Sequence, residues 1–188
     1  MNTQYLNMKK IGFIIYFTSI LFLCYHSNCN GQEILLEKVK EFMPDSIIQS
    51  EIRIYEGDLN RDNFQDIIMR FKIKNESEVR EHIYLFTGQE NEKFLLAAKN
   101  NSLELDNSDG TVFDNIVIKN GYFSLEYRGY GNNSGSYDII TFKYSKIKKK
   151  WILHRHGSMY AHRFSDGEPI EYMSTQKDFG KIFFEDYR

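Results

Sequence analysis

Past residue 46 the chain alternates apolar and polar side chains in short runs broken by turn formers. A period of two puts successive side chains on opposite faces of a pleated strand. It predicts strands over Ile47–Tyr55, His82–Thr87, Phe94–Lys99, Phe113–Lys119, Tyr122–Arg128, Tyr137–Tyr144 and Trp151–His154. The clearest alternation starts at Ile67, where Ile67, Met69, Phe71 and Ile73 share one face and Arg70, Lys72 and Lys74 the other. That strand is expected to be buried on one side and wet on the other, as in an antiparallel sheet. Thr87-Gly88-Gln89-Glu90-Asn91, Asn107-Ser108-Asp109-Gly110, Lys119-Asn120-Gly121 and Gly129 to Gly135 separate the runs. Asn120-Gly121 is the strongest hairpin signal, because both residues tolerate the positive φ of a type I′ turn.

One segment has another period. Leu35, Leu36, Val39, Phe42 and Met43 recur every three or four residues between Glu and Lys, which predicts a helix over Glu33–Met43 that Pro44 ends. At the other end, Asp178 to Glu185 is apolar enough to dock on the core as a short strand or helical turn. Strands this short and close, without interleaved helices, predict a single mainly β domain over residues 32–188. Its antiparallel strands would form a meander or a propeller-like or sandwich arrangement, with one N-terminal helix.

Before it, Lys9 and Lys10 precede an apolar run of 14 residues, Ile11–Cys24. A bilayer span needs about 20, whereas a secretory signal peptide needs an h-region of about this length. Residues 1–31 are read as that leader, with Cys29 and Gly31 as the small residues before cleavage ahead of Gln32. The second reading is a lipoprotein leader acylated at Cys29, which would be the chain's only membrane attachment. Either one implies export, to the periplasm, the outer membrane or the medium.

Composition narrows the chemistry. Both cysteines, Cys24 and Cys29, lie in the leader, so the folded part has no disulfide framework, thiol chemistry or Cys-ligated zinc. The whole sequence holds 15 Phe, 13 Tyr and only 2 Pro, and most of these aromatics fall in the roughly 155 residues after the leader, which can build a packed β core. They carry 26 acidic against 22 basic residues, a net of −4, which excludes a general attraction to nucleic acid or an anionic membrane. The basic run Lys146-Ile147-Lys148-Lys149-Lys150 reads as a solvated hairpin tip.

The stretch with metal-binding spacing is Gly57-Asp58-Leu59-Asn60-Arg61-Asp62-Asn63-Phe64-Gln65-Asp66. Asp58, Asn60, Asp62 and Asp66 fall at loop positions 1, 3, 5 and 9, with the Phe64 carbonyl at position 7. Hard oxygens at that spacing are the ligand pattern of Ca²⁺, so these five residues are the candidate ligands of one structural calcium ion. Position 12 is Met69 and a strand follows, which excludes an EF-hand. Asn63 stands at the sharp turn usually given to Gly and is expected in the left-handed region. The alternative is an Asx-rich turn that folds without metal. On the calcium reading, Asp58→Ala or Asp62→Ala lowers the melting temperature only when calcium is present.

Gly57-Asp58-Leu59-Asn60-Arg61-Asp62 with Asp66-Ile67-Ile68 resembles the signature of FG-GAP and VCBS-type repeats, in which an Asp-rich turn binds Ca²⁺ between two strands. The likeness covers about 15 residues and occurs once, whereas a closed propeller needs several blades. More broadly, the turn, Leu85-Phe86-Thr87-Gly88-Gln89, the Gly-rich stretch after Tyr127 and Thr141-Phe142-Lys143-Tyr144 before Trp151 are similar to features of a group of uncharacterised exported bacterial proteins, many of them predicted lipoproteins. That resemblance implies no enzymatic activity.

Other constellations are weaker. His154, His156 and His162, with Asp166 or Glu168, have the ligand types for zinc, and in a regular strand His154 and His156 would share a face. Ser134 and Ser136 lie in the Gly-rich stretch, which lacks a strand–turn–helix elbow and reads as a flexible connection or recognition tip. Tyr127, Tyr130, Tyr137 and Trp151 would either stack on a ligand or fill the core. The expected function is a non-catalytic exported domain, rigidified by Ca²⁺, that presents a loop surface to a protein or glycan. Alternatives are an envelope hydrolase using His154, His156 or acids near the Gly-rich stretch, and an immunity or inhibitor protein.

Overall fold

The computed structural model of the chain describes residues 31–45, 47–48, 51–74, 79–101, 103, 111–131, 134–162 and 168–188. The leader as far as residue 30, with Cys24 and Cys29, lies outside them, as do the Asn107–Gly110 turn, Asp166 and the side chain of His162. The chain divides into two units, Met1–Phe42 and Met43–Arg188. In the first, a helix over residues 31–39 (α1) tightens into a 3₁₀ turn at Lys40–Phe42, just ahead of Pro44. Among the described residues no helix is long and apolar enough to cross a membrane.

The second unit is built from two antiparallel sheets. Strands β1 (Arg53–Gly57), β2 (Asp66–Lys74), β3 (Val79–Gly88) and β4 (Phe94–Asn100) form one. Strands β5 (Thr111–Lys119), β6 (Tyr122–Tyr130), β7 (Ser134–Ser145), β8 (Lys150–His162) and β9 (Ile170–Thr175) form the other. Within each sheet every strand pairs with its neighbour in sequence, so each sheet is a meander. The turns obey the local chemistry: Asn120 and Gly121 have φ of 54° and 73°, and the basic run caps the β7–β8 hairpin with Lys149 at φ 52°.

The inner faces of both sheets share one core. Ile68, Ile83, Leu85 and Ala98 from the first meet Phe123, Leu125, Ile140, Phe142 and Leu153 from the second. Phe184 enters this core edge-on to Phe123 and Phe142, with ring centroids 5.3 Å away. Its segment is held by Asn100 Nδ2, which donates to the carbonyls of Phe184 (2.6 Å) and Tyr187 (2.8 Å), and by the Leu153 amide on the Ile182 carbonyl (2.8 Å). The docked tail combines an isolated bridge between Phe183 and Ile152 with a 3₁₀ turn over Phe184–Asp186, as its apolar residues suggest.

Several expectations need correcting. The β2 face carrying Arg70 and Lys72 is not the wet one. It also carries Ile68 and faces the second sheet, while Ile67, Met69 and Phe71 on the opposite face are fully buried too. Charge is tolerated there because Arg70 grips Glu81 with two hydrogen bonds, at 2.7 and 2.6 Å, and lies 4.4 Å from the Phe113 ring. The strand expected over Ile47–Tyr55 shrinks to Arg53–Gly57. Ile47 makes only an isolated bridge to Ile73, and the Glu51 amide turns back onto the Ile48 carbonyl at 3.0 Å.

The Gly-rich stretch is mostly strand. Gly129 pairs with Ser136 and Tyr130 with Gly135, and the Gly131 amide donates to the Ser134 carbonyl (2.9 Å). Ser134 and Ser136 therefore lie in a ladder. Strand β8 runs eight residues beyond His154, and β9 went unpredicted because all six of its residues are exposed, so no buried face imposes alternation.

Candidate metal centre

The loop from Asp58 to Gln65 connects β1 to β2, and its own side chains fold it. Asp58 Oδ1 accepts from the amides of Asn60 (3.3 Å), Arg61 (2.6 Å) and Asp62 (3.3 Å), and Oδ2 accepts from Asn63 (3.2 Å). Asn60 Oδ1 takes the Asp62 amide at 2.9 Å, and Asp62 Oδ1 takes the Phe64 amide at 2.9 Å. These nested Asx turns bend the chain hard enough to drive Arg61 and Asn63 to φ of 62° and 68°. The left-handed Asn63 was expected and the left-handed Arg61 was not.

Asp66 is different. It opens β2 and is fully buried, with Oδ2 accepting the Leu59 amide (2.7 Å) and Oδ1 the Gly88 amide (2.9 Å). Only glycine fits at 88, since a Cβ there would collide with the Gln65 carbonyl oxygen. Asp66 thus ties the loop's start to the end of β3.

Three of the five predicted ligands converge. Asp58, Asp62 and Asp66 each offer a carboxylate oxygen within 4.8 Å of the other two. Two oxygens bound to one Ca²⁺ at about 2.4 Å can be no more than about 4.8 Å apart, so the spacing fits one shared ion. Asn60 sits beside them, its Nδ2 donating to Asp62 Oδ2 at 2.6 Å. Phe64 follows in the chain with its ring 40% exposed. Among the described residues no lysine or arginine pairs with the three acids. Burial pushes the Asp66 carboxyl up to about 6, with Asp62 and Asp58 adding to the rise and the Gly88 and Leu59 amides opposing it. The cluster has the charge and spacing for a divalent cation, and acidic groups also gather without one.

The loop also reaches the second sheet, through residues that spacing alone did not single out. Leu59 is buried in the shared core, and its carbonyl accepts from Trp151 Nε1 at 3.2 Å. The Asp58 carbonyl accepts from the Gly121 amide at 3.2 Å, and Arg61 Nε donates to the Asn120 carbonyl at 2.6 Å. Leu59 could have been suspected as the one aliphatic residue among the loop's polar ones. Its partners, far along the chain, left no local signal.

The histidine reading fares differently. A bulge between Thr141 and Phe142 puts His154 and His156 on opposite faces of β8, not on one. His154 packs on Tyr122 at 5.4 Å between ring centroids, on the outer face, whereas His156 is cross-strand from the core residue Ile140. His156 Nε2 stands 3.5 Å from Asp138 Oδ1, and the Ser158 hydroxyl donates to that same oxygen. Neither Asp138 nor Ser158 was singled out from sequence, since only strand pairing unites them. The serine proton points to the carboxylate and not to the histidine, which is not the arrangement that activates a serine.

No family model, no curated protein and no solved structure matches the chain. The likeness to FG-GAP and VCBS turns is therefore carried by the residues of the turn alone.

Proposed function

We propose that the chain is an exported, non-catalytic β domain in which one Ca²⁺ in the Asp58–Asp66 loop pins the two sheets together for binding a protein or glycan. The observation that carries this reading is the convergence of Asp58, Asp62 and Asp66 within 4.8 Å in a loop anchored to both sheets. Bringing three carboxylates together costs free energy that a divalent cation offsets. Three carboxylates and few other ligands suit the calcium levels met outside a cell, in keeping with the leader. A binding role is supported by the exposed side chains Tyr130, Met159, Tyr160, Ile170, Tyr172 and Met173 on β6, β8 and β9.

Asp62→Ala is the sharper test, because Asp62 is exposed and holds little else in place. With calcium at about ten times its dissociation constant, the substitution should remove about 1.4 kcal/mol of stability, and almost none in metal-free buffer. Equal melting-temperature losses in the two conditions would remove the calcium reading. Asp58→Ala is no longer expected to be silent without metal, since the Asp58 carboxylate accepts four loop amides.

A further inference from the structure

The outer face of the second sheet carries a groove of about 470 Å³, a size that takes a small ligand. Its floor is polar, with the Ser124 and Thr141 hydroxyls 2.9 Å apart and Thr141 itself buried. One O–H serves that pair, which leaves the other to donate outward. The bulge at Thr141 brings two consecutive β8 residues, His154 and Arg155, into the wall. Lys119 and Arg61 close the opposite side. Tyr122 organises the charges: the Arg61 guanidinium and the Lys143 ammonium each lie 5.5 Å from its ring centre. Cations held on an aromatic face keep their charge for an incoming anion, and Arg61, whose Nε donates to the Asn120 carbonyl, has its terminal guanidinium nitrogens as further donors. Among the described residues no acidic side chain lines the groove, and Glu126, further along β6, is hydrogen-bonded to Tyr137.

We propose that this groove binds an oxyanion, the sulfate, phosphate or carboxylate group of a saccharide or of a free small ligand. The inference gives a ligand class to the non-catalytic binding role proposed above and rests on that role. A chain whose exported part is net negative has concentrated cations over a hydroxyl floor, which selects a compact acidic group over an extended polyanion. Burial, together with Lys143 and Arg155, holds His154 below the ordinary imidazole range, so a bound oxyanion should raise it and report its own arrival.

The test is a titration of the full chain with sodium sulfate, phosphate and acetate, and with a glucose sulfate, a glucose phosphate and glucuronate. Ionic strength is kept constant and the His154 ring resonances are followed by NMR. Saturable shifts with dissociation constants on the order of millimolar or tighter are expected, with an upward shift of the His154 titration. The exposed pair Lys143→Gln and Arg155→Gln should weaken binding about tenfold without lowering the melting temperature. Sugar forms binding at least about tenfold more tightly than the free ions would assign the saccharide source, and equal binding the free ligand. Non-saturating shifts in all six titrations, or undiminished binding by the double variant, overturn the proposal. If the titrations fail while immobilised chain still retains a protein or glycan from an envelope fraction, only the groove falls. If both fail, the binding role falls with it.

Discussion

Leu59→Ala is expected to destabilise the chain by about 3–4 kcal/mol, as much as losing a leucine from the middle of a core strand. A loop residue is seldom worth that much, and the reason here is geometric. Leu59 is fully buried in the core shared by the two sheets, while its amide is held by Asp66 and its carbonyl by Trp151. Fixed at both ends, the backbone cannot move in to fill the space a shortened side chain leaves, so most of the cavity term survives. Phe64→Ala in the same loop is the control: its ring is 40% exposed, and a change within about 0.5 kcal/mol is expected. Chemical denaturation of both variants checks this, and a loss below about 1 kcal/mol for Leu59→Ala would mean that the loop does not anchor the sheets.

The second large effect is a reversal of pH dependence by calcium. Without metal, folding raises the Asp66 carboxyl to about 6, so the folded state holds that proton more tightly than the unfolded chain does. The resulting stabilisation is fully present below about pH 4, declines as pH rises, and is gone above about pH 6, a change on the order of 2–3 kcal/mol. Calcium requires the ionised form and competes with the proton. The stabilisation it adds should therefore be full above about pH 6 and fade as pH falls through that value. Melting curves between pH 4.5 and 7.5 on the order of half a unit apart, with and without calcium, check this, with Asp66→Asn as the reference in which this group no longer titrates. Parallel pH profiles in the two conditions would contradict it.

How much of this was legible depended on whether the cause was local. β6 shows its inward set, Phe123, Leu125 and Tyr127, as a clean alternation because one face meets the core and the other does not. β2 hides its architecture because both faces are buried, so Ile68 looks like an interruption although it is the residue that meets the second sheet. β9 hides for the opposite reason, being exposed throughout. The acidic loop was readable because its Asx turns are written within nine residues. What it grips, the amides of Gly88 and Gly121 and the indole of Trp151, comes from pairing between distant strands. The bulge that separates His154 from His156 shifts the register by one residue without any glycine or proline to mark it.

Arg61 belongs to two places at once. Its backbone is a left-handed link in the acidic bend, and its guanidinium leaves that bend to stand over Tyr122. A cation that stiffens the bend thereby fixes one wall of the groove in advance. If calcium and an oxyanion bind as proposed, thermodynamic reciprocity applies: whatever factor calcium adds to oxyanion affinity, the oxyanion returns to calcium. On these proposals, the chain would hold an acidic ligand where calcium is plentiful and release it where calcium is scarce.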